Sequence, residues 1–252
     1  MSFSAKQIER YSRQIILKKV GVIGQRKLLN SKVLVVGAGG LGSPIAMYLA
    51  ASGIGTIGIV DNDRVEISNI QRQILFNSND IKKNKSIVAA NKLKQINPSL
   101  NIINFKKKID KKNIDKIAKN FDILADGSDN FKTRFLINDY CLKNRKILVV
   151  GAISKFDGHI YTFNFLKKSS PCLRCFMHTI PKNDRDNCEY EGVLGPLAGI
   201  VGSIQANEIV KEILKIGVSL CGYILIINSL NLTFKKIKLV KRSKCTCNDI
   251  YK

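Results

Sequence analysis

The chain has 252 residues, 45% hydrophobic and 24% charged, with 42 Lys+Arg against 19 Asp+Glu and a formal net charge of +23. This composition excludes a disordered chain and leaves ample apolar surface for a core. No run of 18 apolar residues occurs, which excludes a membrane-spanning helix.

The opening stretch MSFSAKQIERYSRQ is polar, without the apolar core of a signal peptide, so the expectation is a cytoplasmic protein. Ile8, Tyr11, Ile15 and Ile16 recur at helical spacing over residues 5–18, and a second short helix is expected over 25–29. Residues 33–36 (VLVV) form a continuous apolar run, as in a strand buried on both faces of a parallel sheet. GAGGLG comes next at 37–42, then a helical pattern up to Gly53, then a second buried strand, TIGIV at 56–60, ending at Asp61. The alternation continues with helix over 86–96, strand over 101–105, helix over 111–119, strand over 121–125, helix over 131–142 and strand over 147–150. Longer alternating strands are expected at 159–165 and as a closing antiparallel pair at 223–228 and 232–240, with a helix over 197–215. Residues 167–195 lack periodicity, as functional loops of that length do.

The expected fold is α/β: a Rossmann-like, doubly wound, mostly parallel sheet with an antiparallel C-terminal extension. One domain is expected over 1–252. Residues 1–30 form N-terminal helices, 31–150 a nucleotide-binding half, and 151–252 the sheet extension with its long crossover loop.

Gly37-x-Gly39-x-x-Gly42 sits directly after a strand and opens a helix, the context that a dinucleotide fingerprint requires. The first glycine makes the tight turn, the second lets phosphates approach the backbone, and the third lets helix and strand pack closely. Unpaired N–H groups at the helix start attract phosphate. Asp61, about twenty residues on, is placed to accept from ribose hydroxyls. This pattern alone leaves NAD, FAD and ATP open.

The residues after Asp61 narrow the choice. DNDRVEISNIQRQILF (61–76), RYSRQI (10–15), NKS (84–86), ADGSDN (125–130), PCLRC (171–175) and NCEYEGVLGPLAGIVGSIQANEIVKEIL (187–214) all occur in the chain. From about residue 8 to its end the chain resembles the ThiF–MoeB–HesA family of ubiquitin-activating-enzyme-like adenylyltransferases, most closely its molybdopterin-synthase adenylyltransferases. The resemblance implies an eight-stranded, mostly parallel sheet, a homodimer, and activation by ATP of the C-terminal glycine of a small ubiquitin-fold sulfur-carrier protein. It implies that Gly37, Gly39, Gly40, Gly42, Asp61, Ser68, Asn69, Ile70, Gln71, Arg72, Lys85, Asp129 and Asn130 surround the nucleotide. Arg72 and Lys85 would hold phosphate oxygens, Arg13 would reach the phosphates of the other subunit, and Asp129 would carry magnesium, with Asn130 nearby. Read without the resemblance, Lys85 is one of 32 lysines, Arg72 and Arg13 could form surface ion pairs, and Asp129 could be a helix N-cap.

Seven cysteines in a chain with no apparent leader argue against a disulfide framework. Cys141 and Cys221 sit among apolar residues and are expected in the core. Cys172-x-x-Cys175 is half of a structural zinc site. The family's usual partner is a second Cys-x-x-Cys; here the corresponding pair is Cys245-x-Cys247, one residue shorter, so zinc and unused thiols both stay open. His178 is either a substitute ligand or exposed loop. Cys188 occupies a position where relatives carry a thioester or sulfur-transfer role, and is either that nucleophile or a spectator thiol.

Within this family, activation of the thiamine-thiazole carrier and dehydration of tRNA-bound threonylcarbamoyladenosine are alternatives. An NAD-dependent oxidoreductase would leave Arg72, Lys85 and the cysteine pair without a purpose, and a non-catalytic binding subunit would not need its phosphate-contacting residues. The basic charge reads first as a solvated surface. No nucleic-acid-binding motif can be placed, so nucleic acid is not an expected partner, whereas an acidic carrier protein would be attracted.

Overall fold

A computed structural model describes residues 3–179 and 192–251. One eight-stranded sheet runs through the fold: β1 (Lys32–Val36), β2 (Thr56–Val60), β3 (Asn101–Phe105), β4 (Ile123–Asp126), β5 (Ile147–Ser154), β6 (Asp157–Asn164), β7 (Tyr223–Asn228) and β8 (Thr233–Lys238). Its spatial order is β3-β2-β1-β4-β5-β6-β7-β8. The pairings from β3 to β5 are parallel and those from β5 to β8 antiparallel, as expected from the change in sequence texture near Gly151.

The apolar strands read as buried on both faces because they are. Val33, Val35, Ile57, Ile59 and Ala125 enter one core, while Leu34, Val36, Val60 and Leu124 enter the other. This is the period-two alternation of strand side chains. The first core packs against α3 (Gly42–Ser52), α4 (Lys85–Ile96) and α8 (Gly195–Leu214). The second packs against α5 (Ile114–Ala118), α6 (Phe131–Lys143) and α7 (Leu173–Phe176). No helix among the described residues is long and apolar enough to cross a membrane.

Several boundaries differ from those expected. α1 (Ala5–Ile15) stops short of residue 18, and of its apolar stripe only Tyr11 is buried. α2 spans Gly21–Asn30 rather than 25–29. α5 begins at 114, because the Asp110 carboxylate accepts the N–H groups of Lys112 and Asn113 and turns the chain there. β5 runs four residues beyond 150, since its antiparallel partner β6 pairs with it to Ser154. Cys141 is fully buried, but Cys221 is only half-buried, its thiol donating to Ser170 Oγ at 3.5 Å.

The two N-terminal helices are tied to α3 and to the end of α4 by side-chain amides. Asn97 Nδ2 donates to Tyr11 Oη and to the Ala50 carbonyl, both at 2.9 Å. Gln25 Nε2 donates to the Ser52 carbonyl at 2.9 Å, and Gln14 Nε2 donates to Gln25 Oε1 at 2.9 Å. Asn97→Ala leaves the buried Tyr11 phenol without this donor, while the Ala50 carbonyl keeps the Gly53 N–H at 3.2 Å, and is expected to lower unfolding free energy by about 1–2 kcal/mol in urea titration. A midpoint equal to that of the unaltered protein would show that Asn97 does not anchor α1.

Candidate active site

Strand order reverses between β1 and β4, the switch point where open α/β sheets form a crevice at the carboxyl ends of their strands. A cavity of about 620 Å³ lies there. One wall is the turn between β1 and α3. Gly37 has φ +88°, and a Cβ on it would stand 2.9 Å from the Gly127 carbonyl. A Cβ on Gly42 would meet the Gly37 carbonyl at 1.8 Å, so the turn closes only with glycine there. Gly40 lies against Ala198 and the Arg72 stem. At Gly39 the conformation is ordinary and the space is open; a Cβ would make only normal contact. Folding therefore does not demand glycine there. Leu41, the N-cap of α3, supplies no side-chain cap, and Gly39, Gly40 and Leu41 line the cavity, where the first N–H groups of a helix favour an anion.

Asp61 directly follows β2 and is buried. Its two carboxylate oxygens accept from the Ala38 and Asp63 amides, each at 2.8 Å. Burial raises its pKa against the opposing effect of those bonds and of Lys85. Each oxygen keeps lone-pair capacity for a further donor. Lys85, first residue of α4, is buried, with Nζ 3.5 Å from Asp63 Oδ2. A buried ammonium in a chain covered with exposed lysines is the informative one. Arg72 is half-buried, and its guanidinium donates to the Ser68 carbonyl at 3.0 Å. Ser68, Asn69, Ile70 and Gln71 form the turn behind Arg72: they stand outside the cavity wall, and Asn69 Oδ1 accepts the Glu66 amide.

Across the cavity, Asp129 is exposed on the turn after β4. The N-cap of α6 is Asn130, whose Oδ1 accepts the Thr133 amide at 2.9 Å, so Asp129 is not needed as a cap. Among the described residues its carboxylate accepts only from Asn130 Nδ2, at 3.3 Å. Arg13, exposed in the last turn of α1, does not line the cavity of its own chain. Cys188 lies outside the described residues.

Three residues of this site escaped the sequence reading. Asp63 pairs with Lys85. Gln73 lines the cavity beside Arg72. Arg134 is buried, its Nε 3.2 Å from Asp126 Oδ2 and its Nη2 donating to the carbonyls of Ser128 and Gly151. Asp63 and Gln73 lay within the 61–76 motif; Arg134, three residues into a helix, carried no local signal.

Away from the cavity, Cys172, Cys175, Cys245 and Cys247 bring their sulfurs within 4.8 Å of one another. The separations are 3.9 Å (172–175), 3.6 Å (172–245) and 3.6 Å (175–247). Disulfides need about 2.05 Å. Tetrahedral zinc with sulfurs at about 2.3 Å sets neighbouring sulfurs roughly 3.8 Å apart. The shorter Cys-x-Cys spacing therefore still brings each of its thiols to zinc-like distance from one of the first pair. Burial, then hydrogen bonds with the Cys245 and Cys175 thiols, push the Cys247 thiol up to about 12; four thiolates held this close would need a cation to offset their charge. His178 is exposed and not in the cluster; its ring contacts Arg242 Nη1 at 2.6 Å.

The ThiF family model matches residues 11–249. A probable molybdopterin-synthase adenylyltransferase of Porphyra purpurea is 44% identical over 241 residues, covering 95% of this chain and 63% of that protein. The chain thus spans less than two thirds of that relative. A sulfur carrier protein adenylyltransferase of Thermus thermophilus is 38% identical over 254 residues, covering 99% of this chain and 94% of that one. The SAMP-activating enzyme E1 of Haloferax volcanii is 41% identical over 246 residues, covering 97% and 90%. Among solved structures, E. coli MccB with ATP superposes with a TM-score of 0.82 at 23% identity, over 95% of this chain and 73% of that one, a likeness of fold.

The two inner glycines of the turn should separate in experiment. Gly42→Ala is expected to cost about 3 kcal/mol or more of stability, since its Cβ meets backbone. Gly39→Ala should melt like the unaltered protein, yet need about tenfold more ATP for the same thermal stabilisation. Equal ATP response in Gly39→Ala would remove the turn from the nucleotide site.

Proposed function

The chain belongs to the ThiF family, and from that premise we propose that it is an ATP-dependent adenylyltransferase that activates the C-terminal glycine of a small ubiquitin-fold sulfur-carrier protein, for molybdopterin biosynthesis. The observation that carries this reading is the meeting of the glycine turn, Asp61, Arg72, Lys85 and Asp129 around one cavity. The relatives named as molybdopterin-synthase and sulfur carrier protein adenylyltransferases support the same chemistry.

A carboxylate is anionic and has no leaving group. Attack by its oxygen on the α-phosphorus of ATP forms the acyl-adenylate bond, and the bond to pyrophosphate breaks. Two anions must approach, so the site has to supply positive charge. The free amides at the start of α3 and the cations Arg72 and Lys85 do so here. The planar guanidinium bridges oxygens, while the ammonium acts as a point charge. Asp63 holds Lys85 at the rim, and Asp61 accepts from the ribose. Arg134 acts at one remove: its bonds to Asp126 and to the Ser128 carbonyl fix the turn that presents Asp129. Magnesium suits the exposed carboxylate of Asp129 together with phosphate oxygens, and when bound neutralises charge on them. Arg13, unused in its own chain's cavity, fits the homodimer reading, in which it serves a second copy. The four-cysteine cluster fits zinc, which would bind the segment after Pro171 to the C-terminal residues. The whole chain then works as one adenylation domain, in the cytoplasm.

ATP–pyrophosphate exchange with a molybdopterin-type and a thiamine-type carrier tests the proposal. Exchange with the molybdopterin-type carrier alone is expected; none with either would overturn it. Lys85→Ala and Asp129→Ala should each reduce exchange by about 100-fold or more without changing the melting temperature. Turnover at the unaltered rate in either variant would redraw the site. Purified protein should carry one zinc per chain, and Cys245→Ser should lose it and melt several degrees lower. Metal-free protein with an unchanged melting temperature in chelator would leave the cluster as plain thiols.

A further inference from the structure

We infer that Gln73 is a nucleotide-binding residue, its side-chain amide closing the phosphate cradle opposite Gly39. The inference rests on the ATP reading above and adds a ligand to it.

Gln73 is 4% exposed, and its main-chain groups are already used: its N–H donates to the Asn69 carbonyl and its carbonyl accepts from the Phe76 N–H, both at 2.9 Å. The side chain is therefore not needed to hold the turn. Its Oε1 is buried and has no hydrogen-bond partner among the described residues. A dry, unpaired amide oxygen costs free energy that a leucine of similar size would not incur. Packing alone thus does not account for glutamine at this position.

The other end of the amide shows its use. At the position a Gly39 Cβ would occupy, the described atoms within 4 Å are Gln73 Nε2 at 3.6 Å and Cδ at 4.0 Å, chain neighbours of Gly39 aside. The space over Gly39 is bounded by bare backbone on one side and by this amide on the other. A phosphate oxygen drawn to the turn would meet the NH2 group beside it, which offers two donors without charge. Arg72 and Lys85 attract the polyanion; Gln73 orients it. The local fold accepts the orphaned oxygen because the nucleotide uses the nitrogen, a conflict between stability and function of the kind found at binding sites.

Gln73→Leu and Gln73→Glu test this by calorimetric titration with Mg-ATP in the absence of any carrier, alongside melting of the ATP-free proteins. Gln73→Leu should melt at or above the unaltered temperature, yet bind ATP about tenfold more weakly, the worth of a hydrogen bond to a charged group. Gln73→Glu, nearly the same shape but anionic, should bind more weakly still. Unaltered affinity in both variants would overturn the inference. So would a Gln73→Leu protein that melts several degrees lower while its ATP affinity is unchanged, since that would make Gln73 structural. These readings need no carrier, so absence of pyrophosphate exchange in the unaltered protein would count against the proposed function alone.

Discussion

The site depends on a contact between two pieces of backbone. Where β1 and β4 end, Gly37 and Gly127 approach so closely that a Cβ on either would lie about 3 Å from the other turn. The Gly37 N–H reaches the Val60 carbonyl and the Gly127 N–H reaches the Val36 carbonyl, both at 2.9 Å, so the ladder continues into both turns. This brings three loops to one crevice: the glycine turn, the Asp61–Asp63 segment and the Ser128–Asp129 turn. Residues far apart in the chain then face one ligand-sized space. Side chains here would push the turns apart and open the cradle.

Behind that contact lies a buried polar scaffold. Asp126 is fully buried and paired with Arg134, which also holds the carbonyls of Ser128 and Gly151. Gln205 of α8 donates to the Asp126 carbonyl at 2.9 Å, and Gly151 leaves room for its amide. Burying such a charge pair gives little net stability, because desolvation offsets much of the attraction. Its value here is directional. It joins β4, β5, α6 and α8 at the point where the turn bearing Asp129 begins.

A row of rings on one face of β6 links this end of the sheet to the thiol cluster. Tyr161 stacks on Phe163 at 6.1 Å, and Phe163 on Phe165 at 5.9 Å. Tyr161 lines the cavity, while Phe163 and Phe165 share a core with Cys172, Cys245 and Cys247. The cluster draws on two pairs of cysteines well separated in the chain. It therefore fastens the segment that starts at Cys172 to the chain's C-terminal residues, on the same core that supports the site.

The sequence by itself determined what is local. Continuous apolar runs marked the inner parallel strands, because strands buried on both faces need no polar side. The glycine turn was legible from its place between strand and helix, and the cysteine pairs from their spacing. Tertiary structure decided what depends on distant partners. It assigned the cap to Asn130 and not to Asp129, singled out Lys85 by burial among the described lysines, and extended β5 because β6 lies beside it. It brought Cys245 and Cys247 within 4.8 Å of Cys172 and Cys175 despite the shortened spacing, and it revealed the buried Gln73 oxygen that has no partner among the described residues. The physical reason is the same in each case. Helix and strand signals arise between residues a few positions apart, whereas burial, pairing and the walls of a cavity exist only once the sheet has set its strand order.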